Sequence, residues 1–321
     1  MTVSRTAVVI IGRNEGQRLI DCLASIGTAV AQIIYVDSGS TDGSQKAAEK
    51  AGARVVTLDT KTAFTAARAR NAGVAALAGE KPQPDYVQFI DGDCSLQPDW
   101  LATAASFLAD HPRAAAVCGR RRERFPQDSI YNQLIDAEWD TPVGQTKACG
   151  GDVLMRLEAF NAVTGFNPAL IAGEEPELCV RLRAAGWEIW RIDAEMTLHD
   201  AALTRLSQWW QRNRRAGHAY AEGAALHGAP PERHGVRETR SALIWGLGLP
   251  ALAILGGVLI SPWALLLLLA WPLQLLRLGL RGEGWRRGFF LIFGKIPEAL
   301  GAVDFWWHRL RGARKGLIEY K

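Results

Sequence analysis

Tyr86-Val87-Gln88-Phe89-Ile90-Asp91-Gly92-Asp93 is a short, largely apolar run that stops at two acids separated by one glycine. It reads as a buried strand, so both carboxylates fall at a strand's carboxyl end. In an open α/β sheet that edge is where ligands bind. Two hard oxygen donors there suit Mg²⁺ or Mn²⁺, which one or two carboxylates usually hold together with substrate phosphates. Alone the motif is weak, because Asp and Gly are ordinary turn residues. Its surroundings give it weight.

Upstream, residues 7–11 read as a buried strand and residues 15–26 as a helix with an apolar stripe at Leu19, Ile20, Leu23 and Ile26. Residues 32–36 form a second strand ending at Asp37, followed by a helix over 43–51, a strand over 54–58 and a helix over 63–78. This alternation predicts an α/β fold with a mostly parallel, doubly wound sheet. Downstream, 115–119 and 188–192 read as further strands, and 175–185 as a helix stopped by Gly186.

The 321 residues carry a net charge of +4, unevenly spread. Residues 241–321 hold ten Lys/Arg against four Asp/Glu, a balance of +6, which leaves about −2 for the first 240. A basic, Trp-rich, apolar tail points to an anionic membrane surface and not to nucleic acid. Five scattered cysteines without a Cys-x-x-Cys pair argue against a disulfide framework or zinc site and suit a reducing compartment. The first residues lack a signal-peptide pattern, so the amino-terminal part is expected in the cytoplasm.

Asp37 opens Asp37-Ser38-Gly39-Ser40-Thr41-Asp42-Gly43, where an acid can accept hydrogen bonds from a base or ribose and small residues let a ligand approach. Asp42 suits a helix N-cap better. Neither a dinucleotide fingerprint nor a Walker loop occurs. Arg70, in Ala69-Arg70-Asn71-Ala72-Gly73, stands where a guanidinium could bind a diphosphate in a bidentate way. Arg68 reads as a solvated helix residue, and Arg120-Arg121-Arg122 as a mixed solvated and buried basic edge.

Together these motifs resemble the family-2 glycosyltransferases of GT-A fold. The likeness rests on Val9-Ile10-Ile11-Gly12-Arg13-Asn14-Glu15, Val36-Asp37-Ser38-Gly39-Ser40-Thr41-Asp42-Gly43, Ala69-Arg70-Asn71-Ala72-Gly73, Phe89-Ile90-Asp91-Gly92-Asp93, Gly150-Gly151-Asp152 and Gly173-Glu174-Glu175-Pro176-Glu177, in that order over about residues 6–200. It implies an inverting transfer from a nucleotide-diphosphate sugar, UDP-linked by family habit. Asn14, Glu15, Asp37 and Gly39 would contact the nucleotide sugar and Arg70 the diphosphate. Asp93, with Asp91 nearby, would bind Mg²⁺ or Mn²⁺. Glu175 would be the general base, standing where the family carries Asp, with Glu174 as its rival. His199 is a further candidate for metal or phosphate.

Residues 243–260 are uncharged and apolar, and 264–276 nearly so. A bilayer crossing needs roughly 20 such residues, with about 17 the lower limit. Ser261-Pro262 reads as the turn between two crossings, and Arg237, Arg240, Arg277, Arg281, Arg286 and Arg287 place both hairpin ends on the cytoplasmic side. Phe289, Phe293, Ile296, Leu300, Val303, Trp307 and Leu310 recur at helical spacing, as in a helix lying in the interface. The expected organisation is a catalytic domain over 1–225, a linker over 226–240 that begins to turn polar at His218 and carries His227 and His234, and a membrane hairpin plus interfacial helix over 241–321. The expected acceptor is lipid-linked or a saccharide delivered at the membrane. Gln211, Arg214 and Arg215 only partly match the Gln-x-x-Arg-Trp signature of processive polysaccharide synthases, which stay an alternative beside a non-catalytic nucleotide-sugar-binding scaffold.

Overall fold

The structure, a computed structural model, describes residues 3–59, 61–79 and 82–312. Residues 313–321 of the expected carboxyl-terminal segment lie outside it. The chain divides into two compact units, residues 1–204 and 205–321.

The first unit follows the order β1 (Thr6–Gly12), α1 (Gln17–Ile26), β2 (Gln32–Asp37), α2 (Ser44–Lys50), β3 (Arg54–Thr57), α3 (Ala66–Ala75), β4 (Tyr86–Asp91), β5 (Cys94–Leu96), α4 (Trp100–Asp110), β6 (Ala114–Glu123), α5 (Ile130–Glu138), β7 (Gly144–Gln145), β8 (Val153–Arg156), α6 (Leu157–Ala162), α7 (Glu174–Ala184) and β9 (Glu188–His199). The sheet runs β3-β2-β1-β4-β8-β6-β9-β5, with β7 beside β9. β3, β2, β1 and β4 are parallel, β8 is antiparallel to both its neighbours, and β6 and β9 are parallel. The mostly parallel α/β sheet expected above is present.

Both faces are covered, which is why β1 reads as a continuous apolar run. Val9 and Ile11 pack with Val36, Phe89, Met155, Phe160 and Leu178 on one face. Val8 and Ile10 pack with Leu19, Leu23, Tyr35, Trp100 and Leu108 on the other. Each fully buried aliphatic side chain contributes about 1.5–3 kcal/mol. Gly73 brings α3 close to the sheet: a Cβ there would stand 2.3 Å from a Val9 methyl.

Several bounds differ from the sequence reading. The helix expected over 63–78 is shorter, because Thr65 caps it by accepting from the Arg68 N–H at 3.1 Å. The strand expected to end at Gly119 continues to Glu123, and the one expected to end at residue 192 continues to His199. The pairing of β6 with β9 slips between Cys118 and Arg121, so the period-2 pattern breaks there. Asp42 stands one residue before the N-cap, Gly43, and accepts from the Ser44 N–H at 3.0 Å.

The second unit contains α8 (Leu206–His227), α9 (Val236–Leu243), α10 (Leu249–Leu259), α11 (Ala270–Leu280), α12 (Trp285–Phe293) and α13 (Lys295–Leu310). α8 runs through the position expected as a domain boundary, and His218, read as part of a polar linker, is buried inside it. A π-helical turn at Ile244–Gly248 joins α9 and α10, giving one apolar helix over Val236–Leu259. A second covers Pro262–Leu280. These 24 and 19 residues are long and apolar enough to cross a membrane. No residue of Pro262–Leu280 is buried, and Val258, Ile260 and Trp263 are each more than three-quarters exposed.

The single stripe expected over 289–310 is split at Gly294 between α12 and α13. Its members Phe289, Leu300, Val303, Trp307 and Leu310 are exposed, while the inner face of α13 is built from Pro297, Ala299, Gly301, Ala302 and Phe305. Small residues let α8 and α13 touch at backbone level. A Cβ on Gly301 would lie 1.9 Å from the Arg214 carbonyl oxygen, and one on Gly217 1.9 Å from that of Glu298. Beside this crossing, Arg214 pairs with Asp304 at 2.6 Å. Gly301→Val should therefore destabilise the second unit by at least about 1–3 kcal/mol, the usual cost of overpacking. The check is a fall in thermal midpoint in detergent well beyond that of the exposed Leu300→Ala.

Candidate active site

The site lies at the carboxyl ends of β1, β2 and β4. At the end of β2, the buried Asp37 carboxylate turns into its own loop. Its Oδ2 accepts from the N–H groups of Gly39 (3.0 Å) and Ser40 (2.9 Å) and from Gln45 Nε2 (2.7 Å), and Oδ1 accepts from the Tyr35 hydroxyl (3.1 Å). Burial raises its pKa, but the hydrogen bonds from Ser40, Gln45 and Gly39 outweigh that and bring it below the ordinary carboxylate value. Asn14, held in the left-handed region at φ 57°, links two loops: its N–H donates to Ser40 Oγ (2.9 Å) and its Oδ1 accepts from the Thr41 N–H (2.8 Å). Glu15 pairs with Arg18 at 2.6 Å, and its side chain lies along Gly12 and Gly92.

The two acids after β4 face different partners. Asp91 accepts from Arg70 Nη2 at 2.8 Å and has Arg121 Nη2 at 3.7 Å. Asp93, 5% exposed, has His199 Nε2 3.4 Å from its Oδ1, and the Cys94 thiol lies 3.6 Å from the same oxygen. The ligand atoms of Asp93, Cys94 and His199 all lie within 4.8 Å of one another. Burial, then the neighbouring Asp152, push the Cys94 thiol pKa well up, so it stays protonated. A carboxylate and an imidazole at this separation suit a hard or borderline divalent cation; soft sulfur adds little for Mg²⁺ or Mn²⁺.

Arg70, 3% exposed, spans two elements: Nη1 donates to Glu174 Oε1 at 2.7 Å while Nη2 holds Asp91. Burial opposes its charge, but Asp91 and Glu174 outweigh burial and keep it cationic. Arg121 pairs with Asp152 (3.4 Å) and stacks over Trp139, 4.6 Å from the ring centre. Asp152 in turn accepts from the Asp91 N–H (3.2 Å) and the Thr197 hydroxyl (2.9 Å).

At the start of α7, the dipole favours acids, and Glu174, Glu175 and Glu177 occupy the first turn. The first two diverge. Glu175, 2% exposed, accepts from the N–H groups of Cys149 and Gly150, both at 2.9 Å, and from the Cys179 thiol at 2.9 Å. Burial raises its pKa, partly offset by those bonds.

The model of "Glycosyl transferase family 2" matches residues 7–155, from β1 to β8. The succinoglycan biosynthesis protein ExoA of Rhizobium meliloti (strain 1021) is 28% identical over 227 residues, covering 66% of this chain and 68% of that protein. Residues 7–155 of the chain belong to glycosyl transferase family 2.

Pre-mycofactocin glycosyltransferase of Mycobacterium tuberculosis (strain ATCC 25618 / H37Rv) is 25% identical over half of this chain and 35% of its own length. In fold, this family-2 glycosyltransferase is similar to the mannosyltransferase PcManGT from Pyrobaculum calidifontis, solved with GDP-Man and Mn2+. That likeness has a TM-score of 0.66, 21% identity, and covers 95% of this chain and 88% of that one. It establishes the GT-A fold.

Within this family-2 enzyme, the residues read from the sequence separate into groups. Asp93 and His199 come together as donors. Asp91, expected beside the metal, is engaged by Arg70 and Arg121. Arg70, expected on a diphosphate, clamps Asp91 and Glu174. Glu175, the first choice for the base, has both oxygens on backbone N–H groups of the Cys149-Gly150 turn. Its rival Glu174 faces Arg70. Arg121 and Trp139 were missed as site residues. The signal for Arg121 lay in a strand running past Gly119, which the break in pairing hid.

Proposed function

We propose that the enzyme moves a sugar, with inversion, from a nucleotide-diphosphate sugar to a lipid-linked or membrane-delivered saccharide acceptor at the cytoplasmic face of a membrane. The observation that carries this reading is the buried Asp93–His199 pair at the carboxyl end of β4, beside the Arg70 clamp on Asp91 and Glu174. Asp93 and His199 would hold Mg²⁺ or Mn²⁺. When bound, the cation would neutralise charge developing on the leaving diphosphate.

The remaining chemistry belongs to the chain. Arg121, kept cationic by Asp152 and Asp91, adds fixed positive charge. Glu174 takes the proton of the acceptor hydroxyl, a poor nucleophile without a positioned carboxylate. Arg70 orients that carboxylate. Asn14, Glu15, Asp37 and Gly39 shape the loops that receive the nucleotide. PcManGT, solved with a nucleotide sugar and Mn2+, supports the donor class. The ExoA relative's name supports a saccharide-building role. Exposed apolar helices over Val236–Leu259 and Pro262–Leu280 support membrane attachment.

The test is transfer from radiolabelled UDP- and GDP-sugars into a membrane extract, with and without Mn²⁺. The expected result is one metal-dependent labelled product. No transfer from any donor under any metal would overturn the reading, and a ladder of product lengths would replace single transfer with processive synthesis.

A further inference from the structure

A second cluster of arginines lies outside the catalytic constellation. Arg191 on β9 is 5% exposed; its Nη2 stands 3.6 Å from Asp140 Oδ1, the Glu195 carboxylate bound by Arg122 lies within electrostatic reach, and its buried Nε has no hydrogen-bond partner among the described residues. Arg120 on β6, 6% exposed, places its Nε 3.5 Å from the same Asp140 oxygen, and that buried nitrogen also lacks a hydrogen bond. Its other nitrogens donate to Asp136 Oδ2 (2.9 Å) and to the Arg121 carbonyl oxygen. Asp136 is also committed to the Glu123 N–H at 3.0 Å.

Two buried guanidinium groups thus share one oxygen of a carboxylate that is 66% exposed, at separations beyond a normal N–H···O bond. Buried charges ordinarily have close, hydrogen-bonded partners. Asp140 follows α5 in a run, Asp140 to Val143, that is exposed throughout, so its carboxylate can leave without breaking packing. Arginine forks match phosphate oxygens in a bidentate way. The cluster also adjoins the reaction centre. Arg121, the next residue on β6, pairs with Asp152, and Trp139, next to Asp140, meets the His199 ring edge-on at 5.0 Å between centres.

We propose that Arg120 and Arg191 form a phosphate-binding site for a phosphate monoester carried by the acceptor, with the Asp140 carboxylate as a resident stand-in that the phosphate displaces. The assignment to the acceptor rests on the transferase reading; the anion site does not. No covalent step occurs there. Arg120 and Arg191 are positioning residues: they fix where the acceptor's hydroxyl end lies relative to Glu174.

The experiment titrates the full-length protein, in detergent with chelator and no nucleotide, with inorganic phosphate, following binding by calorimetry and the thermal midpoint. Wild type, Asp140→Asn and Arg191→Gln are compared. Removing the competing carboxylate should tighten phosphate binding in Asp140→Asn several-fold and enlarge its phosphate-dependent thermal shift, whereas Arg191→Gln should lose at least tenfold in affinity. Asp140 is exposed, so its variant stays informative if Arg191→Gln does not fold. Equal phosphate affinity in Asp140→Asn and wild type overturns the site. A parallel arm replaces inorganic phosphate with phosphatidic acid in phosphatidylcholine vesicles. Binding there lost in Arg191→Gln assigns a lipid phosphate, and binding of inorganic phosphate alone assigns a soluble one. Phosphate binding without sugar transfer would refute the transferase reading and leave the site, while transfer without phosphate binding would do the reverse.

Discussion

Asp93→Ala is expected to lower metal-dependent sugar transfer by about 10²–10³-fold, the scale of losing an electrostatic stabiliser of developing charge. Asp93 is nearly inaccessible at the end of β4 and has His199 Nε2 3.4 Å away. Without its carboxylate, the cluster keeps an imidazole and a soft sulfur, a poor set for Mg²⁺ or Mn²⁺. The measurement is a Mn²⁺ titration of the transfer rate for wild type, Asp93→Ala and Asp91→Asn. The midpoint should move to far higher metal in the first variant. Asp91→Asn should act chiefly by loosening Arg70, lowering the rate with less effect on the metal midpoint. An Asp93→Ala enzyme with the wild-type metal profile would dismiss the assignment.

The second large effect separates two adjacent acids. Glu174→Gln should reduce kcat by about 10²–10⁴-fold, the range for a general base, with donor KM little changed. Glu175→Gln should mainly reduce stability. Its two oxygens accept from the N–H groups of Cys149 and Gly150. A glutamine would turn an NH₂ toward one of those N–H groups, a mismatch worth about 1–3 kcal/mol. Rates and thermal midpoints of both variants decide the matter. If Glu175→Gln keeps its midpoint and loses turnover while Glu174→Gln stays active, the base is Glu175.

The parallel half of the fold was legible because its physics is local. β1 and β4 are buried on both faces, so they appear as largely apolar runs, broken in β4 only by Gln88, which accepts from Trp100 Nε1. The acids of Asp91-Gly92-Asp93 were legible as a pair, but not their divergence. That depends on Arg70 from α3 and His199 from β9, which only tertiary structure brings near. Arg121 was hidden by slipped pairing between β6 and β9, and Glu175's burial by partners, Cys149 and Gly150, that lie some 25 residues away in the chain. In the second unit, hydropathy located the two long apolar helices. It did not single out the inner face of α13, which is made largely of small residues whose value lies in close approach and not in apolar area.

Asn14 carries a further consequence. By accepting from Thr41 and donating to Ser40, it ties the loop after β1 to the loop after β2. Gly16 adds a second tie, its N–H donating to Asp42 Oδ2 at 3.0 Å. If these loops receive the nucleotide as proposed, bonds within the chain already hold their shape. Little chain entropy remains to be lost there on binding, so differences in affinity among donors should arise in how fast each one leaves.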